Sequence, residues 1–166
     1  MCNGPRDPQK ALTDLLAQNG IDFSVMQNFR GAPVHGFICK KDDGTYQMVV
    51  TIRGAFADIF WFSLFHELGH IINGDVEKTG VFVDAADSRN AKREAAADAF
   101  ASNALLEPIS YAEFVRETSS FSYSAVSSYA KTQNVPPYIV IGRLQKEQRI
   151  PWDWFAKYKP RYKWAQ

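Results

Sequence analysis

The stretch His66-Glu67-Leu68-Gly69-His70 constrains this chain more than any other. It reads H-E-x-x-H and follows the apolar run Ala57-Asp58-Ile59-Phe60-Trp61-Phe62-Ser63-Leu64-Phe65, which has the length and character of a buried helix. A helix turns about 100° per residue, so His66 and His70 stand one turn apart on nearly the same face, with Glu67 on its flank and Leu68 pointing away. Two imidazoles so placed can share one cation at about 2.0–2.1 Å. Glu67 then lies beside the metal rather than on it, where a carboxylate can take a proton from water. The spacing therefore points to metal-assisted hydrolysis. The plainer alternative is a pair of core histidines. It has to meet the cost of burying two imidazoles and a carboxylate in an apolar helix, a cost that a metal offsets.

A cation held by two histidines needs a third protein ligand, and Glu94 supplies a candidate. Glu94 and Asp98 lie four apart in Arg93-Glu94-Ala95-Ala96-Ala97-Asp98-Ala99-Phe100-Ala101, a run of strong helix formers that puts both carboxylates on one face. Ala97 and Ala101 are also on that side, and side chains so small allow close approach to the histidine helix. Glu94 completes a His2Glu set that leaves a fourth position for water. Asp98 is then placed to accept the remaining ring N–H of a ligand histidine. The plain alternative is a solvated, alanine-rich surface helix. The cation expected on His66, His70 and Glu94 is zinc, with manganese as the alternative.

An H-E-x-x-H helix followed by E-x-x-x-D is similar to the gluzincin metallopeptidases. More narrowly, Phe60 to Ile71 and Glu94 to Pro108 resemble the ImmA/IrrE family of metallo-endopeptidases, and Ile139-Val140-Ile141-Gly142-Arg143-Leu144-Gln145 resembles that family's C-terminal segment, above all in members fused to antitoxin-type repressors. The resemblance runs from about Gln9 to Trp152. It implies a zincin-like fold and a zinc endopeptidase that cuts a specific protein, such as a DNA-binding transcriptional repressor, with Glu67 as general base. It also implies that peptide binds along a sheet edge near the metal helix, for which Thr45 to Ile52 is the candidate. The sequence does not identify a second electrophile: His35, Tyr46 and Tyr111 are of suitable type, but a structural role is the favoured expectation for each. Two other functions fit the same motifs: a regulatory or antitoxin module that cuts nothing, and the C-terminal domain of a larger DNA-binding regulator. Only about twenty residues precede the first expected strand, too few for a helix-turn-helix, which fits either a stand-alone member or a fragment.

Bulk properties agree with a cytoplasmic globular enzyme. The 166 residues suit one domain, residues 1–166, with 1–8 a loose lead-in and 157–166 a basic, aromatic tail. Hydrophobic residues make up 46% and net charge is +1, which argues against a strong polyanion partner. The first thirty residues lack a signal-peptide core, and no apolar run reaches the length of a membrane span. Cys2 and Cys39 are too few for a disulfide framework and have no zinc spacing. No membrane or direct nucleic-acid partner is expected.

Along the chain, Gln9 to Gln18 reads as a helix stopped by Asn19-Gly20. Ile21 to Met26, Val34 to Cys39 and Thr45 to Ile52 read as strands, the last two joined by the turn Asp42-Asp43-Gly44. Helices are expected over Ala57 to Ile72 and Asn90 to Leu106, the latter closed by Pro108. Between them lie the polar stretch opened by Asp75, the apolar Val81-Phe82-Val83, and a loop with Asp84 and Asp87. Ser110 and Glu113 form a capping-box signature for a short helix. Further helices are expected over Ser122 to Gln133 and Tyr138 to Gln148, with a last turn near Trp152 to Tyr158. The class is α+β, zincin-like: a small, mostly antiparallel sheet followed by a helical bundle carrying the metal helix. The tail interleaves Lys157, Lys159, Arg161 and Lys163 with Tyr158, Tyr162 and Trp164. Single-stranded nucleic acid can bind such a pattern, but aromatics docked on the core with the cations in water is the favoured expectation.

Overall fold

The computed structural model describes residues 8–27, 36–52, 56–79, 81–83 and 91–162. His35, Val34, Asp84, Asp87, Cys2, Lys163 and Trp164 lie outside the described residues.

Helix α1 (Pro8–Gln18) ends at Gly20, whose φ of +74° is a left-handed conformation that favours glycine. Strands β1 (Ile21–Met26), β2 (Gly36–Lys40), β3 (Tyr46–Thr51) and β4 (Val81–Val83) form one sheet in the order β1-β3-β2-β4. The sheet is mixed, with two antiparallel pairings and one parallel, so it is mostly antiparallel as the sequence suggests. The Asp42-Asp43-Gly44 turn folds β2 and β3 into the expected antiparallel hairpin, and β4 pairs antiparallel with β2. Strand β1, however, joins the free side of β3 in the parallel sense. Strand β3 is therefore interior, so Thr45 to Ile52 is not an edge. Among the described strands the outer positions belong to β1 and β4.

One sheet face is apolar at period two, through Ile21 and Phe23, Ile38, and Met48 and Val50. It packs with Leu16 of α1 and with Phe60 and Leu64 of α2 (Ala57–Ile72) to make the first core cluster. Helix α2 has the bounds expected. A short helix α3 (Asp75–Thr79) follows after the left-handed Gly74, where the sequence suggested only a polar stretch. Helix α4 (Ala91–Leu105) then lies against α2, the most extensive helix–helix contact among the described elements. A Cβ on Gly69 would stand 3.0 Å from Ala97 Cα, and Ala97 and Ala101 are fully buried. The small residues thus do bring the two backbones together.

Helices α5 (Pro108–Glu117), α6 (Tyr123–Thr132) and α7 (Pro137–Lys146) build a second cluster around Val126, Ala130, Val140, Ile141 and Leu144, and Trp61 of α2 packs against both clusters. Pro108 opens α5 as well as following α4. The expected Ser110/Glu113 capping box does not form. Pro108 needs no N–H partner in the first turn, so α5 begins three residues earlier than expected. Glu107 caps it, accepting from Ile109 N at 3.0 Å and Ser110 N at 2.6 Å.

After α7 the chain returns to the start of α2 through a turn and the 3-10 segment Ala156–Tyr158. Tyr158 stacks on Tyr123 with ring centres 3.6 Å apart, and Tyr162 meets Phe60 edge-on at 5.2 Å, as expected of docked aromatics. Lys157 and Arg161 are exposed, but Lys159 departs from the expectation and is buried. Its ammonium lies 2.6 Å from Asp58 Oδ2 and donates to Gln145 Oε1 at 2.7 Å. Asp58 is itself buried in the first turn of α2, and a buried carboxylate requires a counter-charge. No helix among the described residues is long and apolar enough to cross a membrane.

Candidate metal centre

Helix α2 has the one-turn offset that its spacing dictates, and it points His66 and His70 toward α4. His66 Nδ1 is 2.9 Å from Asp98 Oδ1, and His70 Nδ1 is 3.0 Å from Asp75 Oδ2. An ionised carboxylate has no proton to give, so each imidazole donates its Nδ1–H. Both Nε2 atoms then carry lone pairs, and they face each other at 3.1 Å. Glu94 closes the group, with Oε2 3.1 Å from His66 Nε2 and Oε1 3.8 Å from His70 Nε2.

That donor set fits a metal ion. Two atoms bound to one tetrahedral ion at about 2.0–2.1 Å stand roughly 3.3 Å apart, close to the spacings found here. Three lone-pair atoms converging in a buried place repel one another, and a shared cation removes the repulsion. Ligand atoms of His66, His70 and Glu94 all lie within 4.8 Å of one another. The three residues singled out as ligands and Asp98 are therefore brought together. His70 is fully buried and His66 nearly so.

Glu67, on the flank of the same helix face, reaches strand β2 and is fully buried. A Cβ placed on Gly36 would lie 2.8 Å from both Cγ and Cδ of Glu67. The absence of a side chain at the start of β2 is thus what accommodates the Glu67 carboxylate beneath that strand. Asp98 has a second partner, Lys146 of α7, whose ammonium lies 3.0 Å from Oδ2. Burial pushes the Asp98 carboxyl up, but hydrogen bonds from His66 and Lys146 outweigh it and hold the group below the ordinary value of 3.8.

Beside the triad a cleft of about 390 Å³ opens between α2, α4 and α7. Phe62, Leu105 and Ile139 wall it, His66, Glu94 and Asp98 stand at one end, and Trp152 borders it. Neither described candidate for a second electrophile is bonded to the His66–His70–Glu94 group. Tyr46 donates to Glu77 at 2.7 Å, and Tyr111 donates to Glu147 at 3.0 Å within the second core cluster. Burial, then Glu147, raises the Tyr111 phenol above its ordinary value.

Sequence reasoning missed Asp75, Gly36 and Lys146. Asp75 stands five residues past His70, just after the helix-stopping Asn73-Gly74, and that short return was a usable signal. Gly36 and Lys146 carried none, because their roles depend on elements distant in the chain.

Searched against protein-family models the chain matches none, and no curated protein matches it significantly.

Proposed function

We propose that this chain is a zinc-dependent endopeptidase of the ImmA/IrrE type, zincin-like in fold, which acts in the cytoplasm on a specific protein such as a DNA-binding repressor. One observation carries the proposal: two Nε2 atoms and the Glu94 carboxylate converge while both Nδ1 atoms are committed to Asp98 and Asp75. His66, His70 and Glu94 would hold the ion. When bound, it supplies Lewis acidity, polarising a scissile carbonyl and lowering the pKa of water. Glu67 accepts the proton of the attacking water and returns it to the leaving amine. Asp75 and Asp98 keep the imidazoles in the tautomer and orientation that present Nε2. The cleft walled by Phe62, Leu105 and Ile139 offers an apolar surface for a substrate side chain next to the site. Manganese is the alternative ion.

A second reading, a regulatory module that keeps the metal but cuts nothing, is favoured by the complete burial of Glu67, since hydrolysis requires water to reach that carboxylate. One experiment separates the two. Wild type and Glu67→Gln, each loaded with zinc, are incubated with repressors encoded near the gene and with casein, and fragments are mapped by mass spectrometry. A peptidase cuts a cognate repressor at one or a few sites and leaves casein almost untouched, while Glu67→Gln binds that partner without cutting it. No cutting by either form, with zinc confirmed in both, favours the regulatory module.

A further inference from the structure

Helices α2, α4 and α7 meet at Lys146. Its ammonium lies 3.0 Å from Asp98 Oδ2 and 4.0 Å from the centre of the Phe62 ring. The other oxygen of Asp98 lies 2.9 Å from His66 Nδ1. Phe62 precedes His66 by one turn of α2, so Lys146 touches the metal helix directly and, through Asp98, its first histidine. We infer that Lys146 is a positioning residue for the metal centre, fixing the Asp98 carboxylate in the orientation that holds His66. The inference rests on the metal reading above.

Asp98 is held differently from Asp75. Its side chain is 41% exposed, in contrast to fully buried His70 and nearly buried Asp75. A half-exposed carboxylate on a helix surface has other rotamers and water to satisfy it, so a single hydrogen bond to His66 does not fix it. Asp75 is held by burial and by Arg93, whose Nε stands 3.6 Å from its other oxygen. Lys146 replaces burial with a second charge-assisted contact on the opposite oxygen. The ammonium is itself held over the Phe62 ring, which restricts it to the side facing the histidine. For overall stability a half-exposed pair of this kind contributes little. For the metal it decides which Asp98 rotamer, and hence which His66 orientation, is present before the ion arrives.

Bare electrostatics predicts the opposite sign, since removing a cation near a bound dication tightens the ion. The two effects can therefore be told apart. Zinc affinity is measured by competition with a chromogenic chelator on the full chain for wild type, Lys146→Met, Lys146→Arg, Asp98→Asn and the double variant Asp98→Asn/Lys146→Met, with melting of the metal-free proteins alongside. Lys146→Met is expected to weaken zinc about three- to tenfold, less than the 10–100-fold typical of a direct ligand partner. Its metal-free melting should match wild type, and Lys146→Arg should restore affinity to within about twofold because it keeps the charge and the hydrogen bond. On the Asp98→Asn background, Lys146→Met should change little, since the route runs through Asp98. Zinc bound as tightly as in wild type, or more tightly, overturns the inference. So does a loss of the same size on the Asp98→Asn background. A wild type that takes up no zinc at all overturns the metal reading, and the inference with it.

Discussion

His70 Nδ1 lies 3.0 Å from Asp75 Oδ2, and both side chains are sealed from solvent. The other oxygen of Asp75 stands 3.6 Å from Arg93 Nε, so the aspartate links the second histidine to the start of the helix that carries Glu94. Asp75→Asn removes the charge while nearly preserving shape. It is expected to weaken zinc by roughly 10–100-fold, as losses at such partners do, and to lower the melting temperature of the metal-free protein. Chelator competition and calorimetry check the two effects. Unchanged zinc affinity would show that Asp75 does not orient His70.

Metal content tests the proposed ligands one by one. The purified wild type is expected to carry close to one zinc per chain, and His66→Ala or His70→Ala to abolish stable binding. Glu94→Ala should weaken binding strongly, Asp98→Ala by roughly 10–100-fold. Glu67→Gln should keep its zinc, because the converging ligand atoms belong to His66, His70 and Glu94. Elemental analysis with full occupancy in both histidine variants would remove the assignment.

Gly36→Ala tests the proposed general base apart from the proposed metal. A methyl group there would overlap the Glu67 side chain, so Gly36→Ala must push aside either the carboxylate or strand β2. Zinc content is expected to stay near wild type while cleavage of the cognate partner falls at least tenfold, comparable to the loss of a positioned acid–base group. Parallel measurements of zinc and of cleavage decide it. Full cleavage by Gly36→Ala would mean that Glu67 needs no such close fit.

Acid titration tests the Asp98 contact. A carboxyl held below its ordinary pKa stabilises the fold above that value, and the contribution is lost as pH falls through the folded value. The stability gap between wild type and Asp98→Asn, both metal-free, should therefore persist from neutral pH to about 5 and close only as pH falls through 3.8 and below. Urea unfolding at stepped pH measures the gap. Closure between pH 7 and 5 would contradict the depressed Asp98 value.

What the sequence determined by itself is local. The apolar run ending in H-E-x-x-H dictates helix α2, and helical periodicity alone puts His66 and His70 on one face and Glu67 on its flank. Alanine content and i,i+4 spacing likewise make α4 and put Glu94 and Asp98 together, because helix formation depends on neighbours a few residues apart. Beyond the β2–β3 hairpin and the α2–α4 approach signalled by Ala97 and Ala101, tertiary structure decided how the elements join. That β1 lies parallel to β3 and makes β3 interior depends on which side of a hairpin a strand docks, and no residue in β3 records it. The capping of α5 by Glu107 was decided by competition between two adjacent start signals. Gly36 over Glu67, Lys146 on Asp98, and Lys159 against Asp58 each join residues far apart in the chain. Their partners are set by packing geometry, and sequence periodicity is silent about contacts of that range.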